Sequence, residues 1–306
     1  MVGARRGIRM HSLQQVELKM LQTVDDICRE LHIKYYLVCG SALGAVKYSG
    51  FIPWDDDLDI GLLRPDYEIF VREAKRLLPD NYFLQNYRTD PGFPQVFSKI
   101  RDSRTTFIEK SAAGLAIHHG VYIDVFPLDG YPERRIAALR LEALKKIYKL
   151  ETACAFRLPC SRKAKLFFGA ERLLGMHKRT QRTMEKYDRL IASYPVDGSK
   201  LICNHGNWQG KLEYAAAEQY GDGIWATFEG MKVRIPAQYD AYLTQKYGNW
   251  RADLPEEQKI GHHYTEVVDL EHPYTDYVRE MPDGTVAITK NVVERSRLYI
   301  TPSGDI

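Results

Sequence analysis

Apolar residues recur along the chain at two spacings, and the switches between them lay out the elements. From Ser12 to Leu31, residues Leu13, Val16, Leu21, Val24, Ile27 and Leu31 fall near helical spacing, with Ser12 as N-cap. Tyr35 to Val38 reads as a short buried strand, Gly40-Ser41 as a turn, and Ala42 to Val46 as the start of a helix. A loop from Tyr48 to Trp54 leads into a strand carried by Leu58, Ile60, Leu62 and Leu63. Asp66 to Leu78 reads as a helix, with Pro65 near its first turn and Pro79-Asp80 as its stop. Tyr82 to Asn86 and Gln95 to Arg101 read as strands joined through Asp90-Pro91-Gly92. Val121 to Phe126 is a further strand, ending in a turn at Pro127-Leu128-Asp129-Gly130. Helices are expected over Arg134 to Phe156 and Ser161 to Ser193, separated by Leu158-Pro159-Cys160. Leu201 to Gly210 is loop-like, Thr227 to Pro236 a hairpin turning at Glu229-Gly230, and Tyr239 to Tyr247 a helix closed by Gly248. Met281 to Thr285 carries a last hairpin signal. Interleaved strands and helices of this kind predict an α+β (mixed α/β) class built on a small mixed sheet.

Composition narrows this picture only in places. The 306 residues are 44% hydrophobic and 27% charged with a net charge of +3, so bulk charge names no partner. The five cysteines (Cys28, Cys39, Cys154, Cys160, Cys203) form no C-x-x-C pair and read as reduced thiols. There is no apolar span long enough for a bilayer and no apolar stretch behind Arg5, Arg6 and Arg9, so the expected location is the cytoplasm. Charge is uneven, however. Residues 133–190 hold 16 Lys and Arg against 6 Asp and Glu. A basic amphipathic helix here either lies on the inner face of an anionic membrane or caps the core as a solvated hairpin. Nucleic acid is not expected, because no aromatic stacking platform or base-reading motif accompanies the charge.

The chemistry concentrates at Asp55, Asp56, Asp57 and Asp59. Strand alternation points Asp57 and Asp59 one way and Leu58 and Ile60 the other. Two such carboxylates about 5–6 Å apart repel by roughly 3 kcal/mol at an effective dielectric of ~20. A hard divalent cation removes that repulsion, and carboxylate oxygens suit Mg²⁺, with Mn²⁺ as the alternative. The plain structural alternative is an exposed acidic loop before a strand. Asp124 sits alone in the apolar strand Val121–Phe126, a costly position unless it is paired or bound to a cation. Three cations lie close in sequence. Lys47 precedes the acidic residues and has reach enough for a phosphate. Arg64, at the strand end, pairs with a phosphate, with the carboxylates, or with solvent. Lys99 is either a phosphate contact or an edge-strand lysine. His118 and His119 are adjacent, point apart in a strand, and read as loop residues.

The string Gly40 to Tyr67, GSALGAVKYSGFIPWDDDLDIGLLRPDY, resembles the LicD family, whose members include phosphocholine transferases and, more distantly, fukutin and fukutin-related protein. Its Gly40-Ser41 followed by Asp57-Leu58-Asp59-Ile60 is similar to the active-site pattern of the polymerase-β-like nucleotidyltransferases. Further likeness appears at Gly120–Gly130, at Phe228–Gly248, and at Lys99, Ile100, Asp102 and Thr105. The resemblance implies a nucleotidyltransferase-like core in residues 1–130, a basic helical insertion in 131–200, and a C-terminal part, 201–306, completing the core and the cleft. It implies Asp124 as the third metal carboxylate beside Asp57 and Asp59, Gly40 and Ser41 at the phosphates, and a phosphate contact from the His262-His263 pair, with His262 favoured. Asp55 and Asp56 would orient the others.

The activity so implied is Mg²⁺-dependent transfer of a phospho-alcohol, phosphocholine foremost, from a CDP-alcohol to a sugar hydroxyl of a glycan, with CMP leaving. The acceptor class is a free or lipid-linked precursor of cell-surface glycan, teichoic acid or lipopolysaccharide. Asp124 is the expected proton acceptor. Two other readings remain open, nucleotidyl transfer from an NTP and a non-catalytic scaffold. A choline group would want an aromatic cage, for which Trp54, Trp208, Trp225 and Trp250 are candidates.

Overall fold

The computed structural model describes residues 2–156, 180–207, 209–261, 263–282 and 284–289. Helix α1 (Val2–Glu30) leads to β1 (Tyr36–Leu37), α2 (Cys39–Lys47), β2 (Asp59–Leu63) and α3 (Arg64–Leu77). Then come β3 (Tyr82–Gln85), β4 (Ser98–Asp102), β5 (Thr106–Glu109) and β6 (Val121–Gly130). Helices α4 (Arg135–Ala155) and α5 (Thr180–Ala192) follow, then β7 (Leu201–Cys203) and β8 (Tyr214–Ala216). The hairpin β9 (Ile224–Phe228) and β10 (Met231–Ile235), α6 (Tyr239–Tyr247), β11 (Thr265–Asp269), β12 (Val278–Glu280) and β13 (Val286–Ile288) complete the order. The class is α+β, as the pattern predicts.

The main sheet runs β1-β2-β6-β4-β3, with β7 beside the far end of β6 and β8 beyond it. Strands β2 and β6 are parallel and the other pairings antiparallel. Leu58, Ile60, Leu62, Ile123 and Val125 are fully buried between this sheet and α1, which supplies Met20, Leu21 and Val24. At about 25 cal/mol per Å² of apolar surface, each such side chain contributes roughly 1.5–3 kcal/mol. A second cluster joins Leu141 and Tyr148 of α4 to Met184, Tyr187 and Ile191 of α5, over Tyr87 and Val96 from the β3–β4 connection. The break at Leu158-Pro159-Cys160 and the first part of the helix expected from Ser161 lie outside the described residues.

Three expectations are corrected. Gly40 and Ser41 do not make a turn, because they form the first turn of α2, entered through Cys39 at φ +52°. Strand β6 does not stop at Phe126; it runs through Pro127 to Gly130, paired with β2 and then with β7. Asp129 therefore shapes no turn. It is fully buried and takes a bidentate pair from Arg64, Nε to Oδ1 at 2.6 Å and Nη2 to Oδ2 at 2.7 Å. Arg64 also donates to Asp188 of α5 at 3.1 Å and to Glu68 at 3.0 Å. Its guanidinium thus locks α3, β6 and α5 together at the end of the sheet away from Asp59, and it does not line the cleft where a phosphate contact was expected.

Removing one member of a buried ion network leaves the others charged and uncompensated. Arg64→Met is expected to lower unfolding free energy by about 3–5 kcal/mol, measured by urea denaturation. A loss below about 1 kcal/mol, the range of surface pairs, would show that the network is dispensable.

Candidate active site

Strand register decides which acidic groups meet. Asp59 of β2 lies opposite Asp124 of β6, and Asp124 lies opposite Lys99 of β4. Three ionisable side chains therefore stand level on neighbouring strands. Lys99 Nζ is 2.8 Å from Asp124 Oδ1 and 3.3 Å from the Tyr122 ring centroid. Lys99 is thus on an interior strand and buried, not on an edge. Backbone bonds hold the level: Val38 N–H donates to Asp59 O and Asp124 N–H to Leu58 O, at 3.1 and 2.8 Å. The Ser41 hydroxyl accepts from the Asp59 N–H at 2.8 Å, so the serine serves the strand entry and is turned from the cleft.

The loop before β2 is held from behind by α1. Gln14 Nε2 donates to Ile52 O at 3.1 Å and to Asp55 O at 2.9 Å. Glu17, three residues on, is buried beneath the same loop. Burial, and then the charges of Asp57, Asp56 and Asp55, push its carboxyl well above the usual range. A Cβ at Gly40 would stand 2.7 Å from Asp55 Oδ2 and displace that carboxylate. A Cβ at Gly261 would stand 2.7 Å from Asp56 Oδ2 and displace that one. That close approach brings in His263, whose N–H and Nδ1 each bond Asp56 at 3.1 Å. Its Nε2 lies 4.0 Å from Asp57 Oδ2 and 3.9 Å from Glu109 Oε1.

The electrostatics are those of an acidic cluster short of positive charge. Burial first, then Asp57 and Asp124, raise Asp59 well above the carboxylate range. Burial raises Asp124 too, although Lys99 opposes the shift. Asp55 is raised by burial and by Asp57, Asp56 and Asp59. Burial opposes charge on His263, but the bond to Asp56 and the nearness of Asp57 and Glu109 outweigh it and hold the imidazolium up to about 10. Glu109 is half-buried, which would raise it, yet Lys99, His263 and Arg101 keep it below its ordinary value.

Asp55, Asp57, Asp59, Asp124, Glu109, Lys99 and His263 all line one cleft of about 620 Å³. Gly40 and Lys47 line it as well; Lys47 bonds the carbonyls of Arg251 and Ala252 and pairs with Asp253 at 3.1 Å. Ser41 and Arg64 do not line it, and His262 is outside the described residues. Phe93, Phe97 and Phe126 also line the cleft, with Phe97 and Phe126 centroids 4.7 Å apart, as do Trp54 and Trp250. Trp225 is on the exposed hairpin β9–β10 under Arg234, away from the cleft, and Trp208 is not described. His118 and His119 are buried and neutral, held down to about 3 and about 4 by burial and Arg101.

Sequence reading assigned no chemistry to α1 and passed over Glu109. The signal for Glu17 was present: it shares the apolar stripe of Leu13, Leu21 and Val24, where a carboxyl has no place without a polar neighbour.

Residues 32–134, about a third of the chain, match the family model of the LicD/FKTN/FKRP nucleotidyltransferase domain. This stretch is a LicD-type domain. The lipopolysaccharide cholinephosphotransferase LicD of Haemophilus influenzae is 25% identical over 273 residues, covering 87% of this chain and all of that protein. An uncharacterized protein of Rickettsia prowazekii is 29% identical over 134 residues, 42% of this chain and 44% of its own. One from Rickettsia typhi is 40% identical over 48 residues, 16% of each chain. The matched stretch thus spans β2 and β6, the strands that carry the level carboxylates Asp59 and Asp124.

Groups raised in the folded state bind more protons there than when unfolded, so stability falls as pH rises through their window. Asp55, Asp59, Asp124 and His263 all have that sign, while the lowered His118, His119 and His205 act only below about 6.5. In metal-free protein the melting temperature is therefore expected to fall between pH 7 and 8.5, as followed by calorimetry. A rise across that window would contradict the assigned charges.

Proposed function

We propose that this chain is a transferase that moves phosphocholine from CDP-choline to a sugar hydroxyl, with CMP leaving. The observation that carries the reading is the convergence of Asp57, Asp59 and Asp124 with Lys99 on one cleft. The printed activity of the Haemophilus influenzae relative, on lipopolysaccharide, supports a glycan acceptor of that kind.

The donor set fits a hard divalent ion. Five carboxylates, Asp55, Asp57, Asp59, Asp124 and Glu109, face the cleft against Lys99, Arg101 and His263, with Lys47 paired to Asp253. The tightest group of ligand atoms among the described residues is a different one, Asp56, Asp57 and His263, within 4.8 Å. There the His263 backbone N–H and Nδ1 hold both Asp56 oxygens, and we assign that group as an ion pair. Asp57, Asp59 and Asp124 are the residues that would hold Mg²⁺. When bound, Mg²⁺ supplies positive charge to the diphosphate and to the departing CMP.

The chain's own residues divide the remaining work. Lys99, fixed over Tyr122, sets a cation beside the transferred phosphoryl group. The sugar oxygen attacks the phosphorus distal to cytidine, and the bond from that phosphorus to the CMP oxygen breaks. Asp124 is tied to Lys99, which leaves Glu109, ionised and facing the cleft, to accept the hydroxyl proton in place of Asp124. The choline end is assigned to Phe93 and Phe126. Trp54, Trp250 and Phe97 already face cations, Lys259 at 5.4 Å, Arg251 at 4.2 Å and Lys99 at 5.7 Å, which leaves the Phe93 and Phe126 faces for the choline.

The test is a panel of CDP-choline, CDP-ethanolamine and CDP-glycerol with Mg²⁺ and glycan acceptor, read by CMP release. CDP-choline is expected to react fastest, with Asp59→Asn slower by roughly a thousandfold. Pyrophosphate release from CTP with no CMP from any CDP-alcohol would replace the reading by nucleotidyl transfer. In the same assay Phe126→Leu is expected to lower the preference for CDP-choline over CDP-ethanolamine by about 2- to 30-fold, the range of a cation–π contact. An unchanged preference would move the choline site elsewhere in the cleft.

A further inference from the structure

Helix α4 buries one face and exposes an apolar one. Leu141, Tyr148 and Thr152 are buried toward α5 and the core, whereas Ile136, Leu139, Ile147 and Leu150 are 84%, 62%, 48% and 45% exposed. At 3.6 residues per turn these four, together with exposed Ala143, fall within an arc of about 80°. Solvated helix faces rarely carry such a stripe without a partner. Basic residues border it: Arg140 on one side, Lys146 and Arg135 on the other, all exposed and free of ion pairs among the described residues. No acidic residue interrupts the arc.

We propose that this face of α4 docks on an anionic lipid surface. The 21 residues of α4 span about 31 Å, enough to lie along a headgroup layer with the apolar stripe sunk into it. Arg135, Arg140 and Lys146 flank the stripe as long basic side chains do at such an interface, stems in the apolar zone and charges at the phosphates. A second copy of the chain suits the face less, because pairing two stripes would bring like-charged borders together. Phe156, directly after α4, lines the cleft, so docking would set the cleft beside the lipid. The inference stands on exposure and charge and is independent of the reaction in the cleft.

Vesicle sedimentation of the full chain tests it, comparing phosphatidylcholine alone with phosphatidylcholine containing phosphatidylglycerol. Binding is expected only to the anionic vesicles and to weaken with salt. Ile136→Ser/Leu139→Ser/Ile147→Ser is expected to lose at least about tenfold in binding, and these exposed positions leave the melting temperature unchanged. Arg140→Gln/Lys146→Gln is expected to lose at least about fivefold at low salt, with the salt dependence reduced. Wild-type binding by the serine variant overturns the proposal, as does equal binding to both vesicle types. So does a concentration-dependent dimer that the serine variant abolishes, since the stripe would then be a protein interface.

Discussion

The parallel pairing of β2 with β6 sets Asp59 directly against Asp124, and the rest of the molecule answers that constraint. Neighbouring strands lie roughly 5 Å apart, so level carboxylates are forced close in a place where water is scarce. One lysine, on the next strand, neutralises one of them. The leftover negative charge, increased by Asp55 and Asp57, is the ground on which we propose a cation and a diphosphate for the cleft. A sheet with the register shifted by one residue would turn one carboxylate to the opposite face and remove the site.

Two acidic centres share β2 and β6, and they do different work. At one end Asp129 and Asp188 enclose Arg64 so completely that nothing remains for a ligand. At the other end Asp57, Asp59 and Asp124 have more acid than base around them and open to a cleft. The contrast separates a structural ion network from a binding centre without appeal to motif: what matters is whether opposite charge is already supplied. Helix α1 belongs to the second centre. Through Gln14 it ties down the acidic loop, and through Glu17 it sets beneath it a carboxyl that burial pushes up, so the longest described helix also shapes the site.

Much of this was legible in the residues themselves. Alternation around Leu58 and Ile60 marked the acidic strand, and Asp124 stood out because an isolated charge in an apolar strand needs a partner. What escaped were partners fixed by distant chain segments. Arg64 meets Asp188, 124 residues away, and no local pattern announces such a pair. Ser41 sits where a phosphate contact was expected, yet its hydroxyl is taken by a backbone N–H whose position depends on how β2 enters the sheet. His263 comes to Asp56 across 207 residues, and only the glycine at 261 hinted at a close approach. Asp129 was read as a turn residue because Pro127 suggested an ending, whereas tertiary pairing with β7 carried the strand on.

The central claim is that unneutralised charge on Asp57, Asp59 and Asp124 makes a divalent-ion site. Anomalous scattering from a crystal soaked with Mn²⁺ and CDP-choline tests it most directly. The account predicts manganese within bonding distance of those three carboxylates, with the diphosphate on its open side. Manganese bound only by Asp56 and His263, or absent from the cleft while the nucleotide is present, would contradict it.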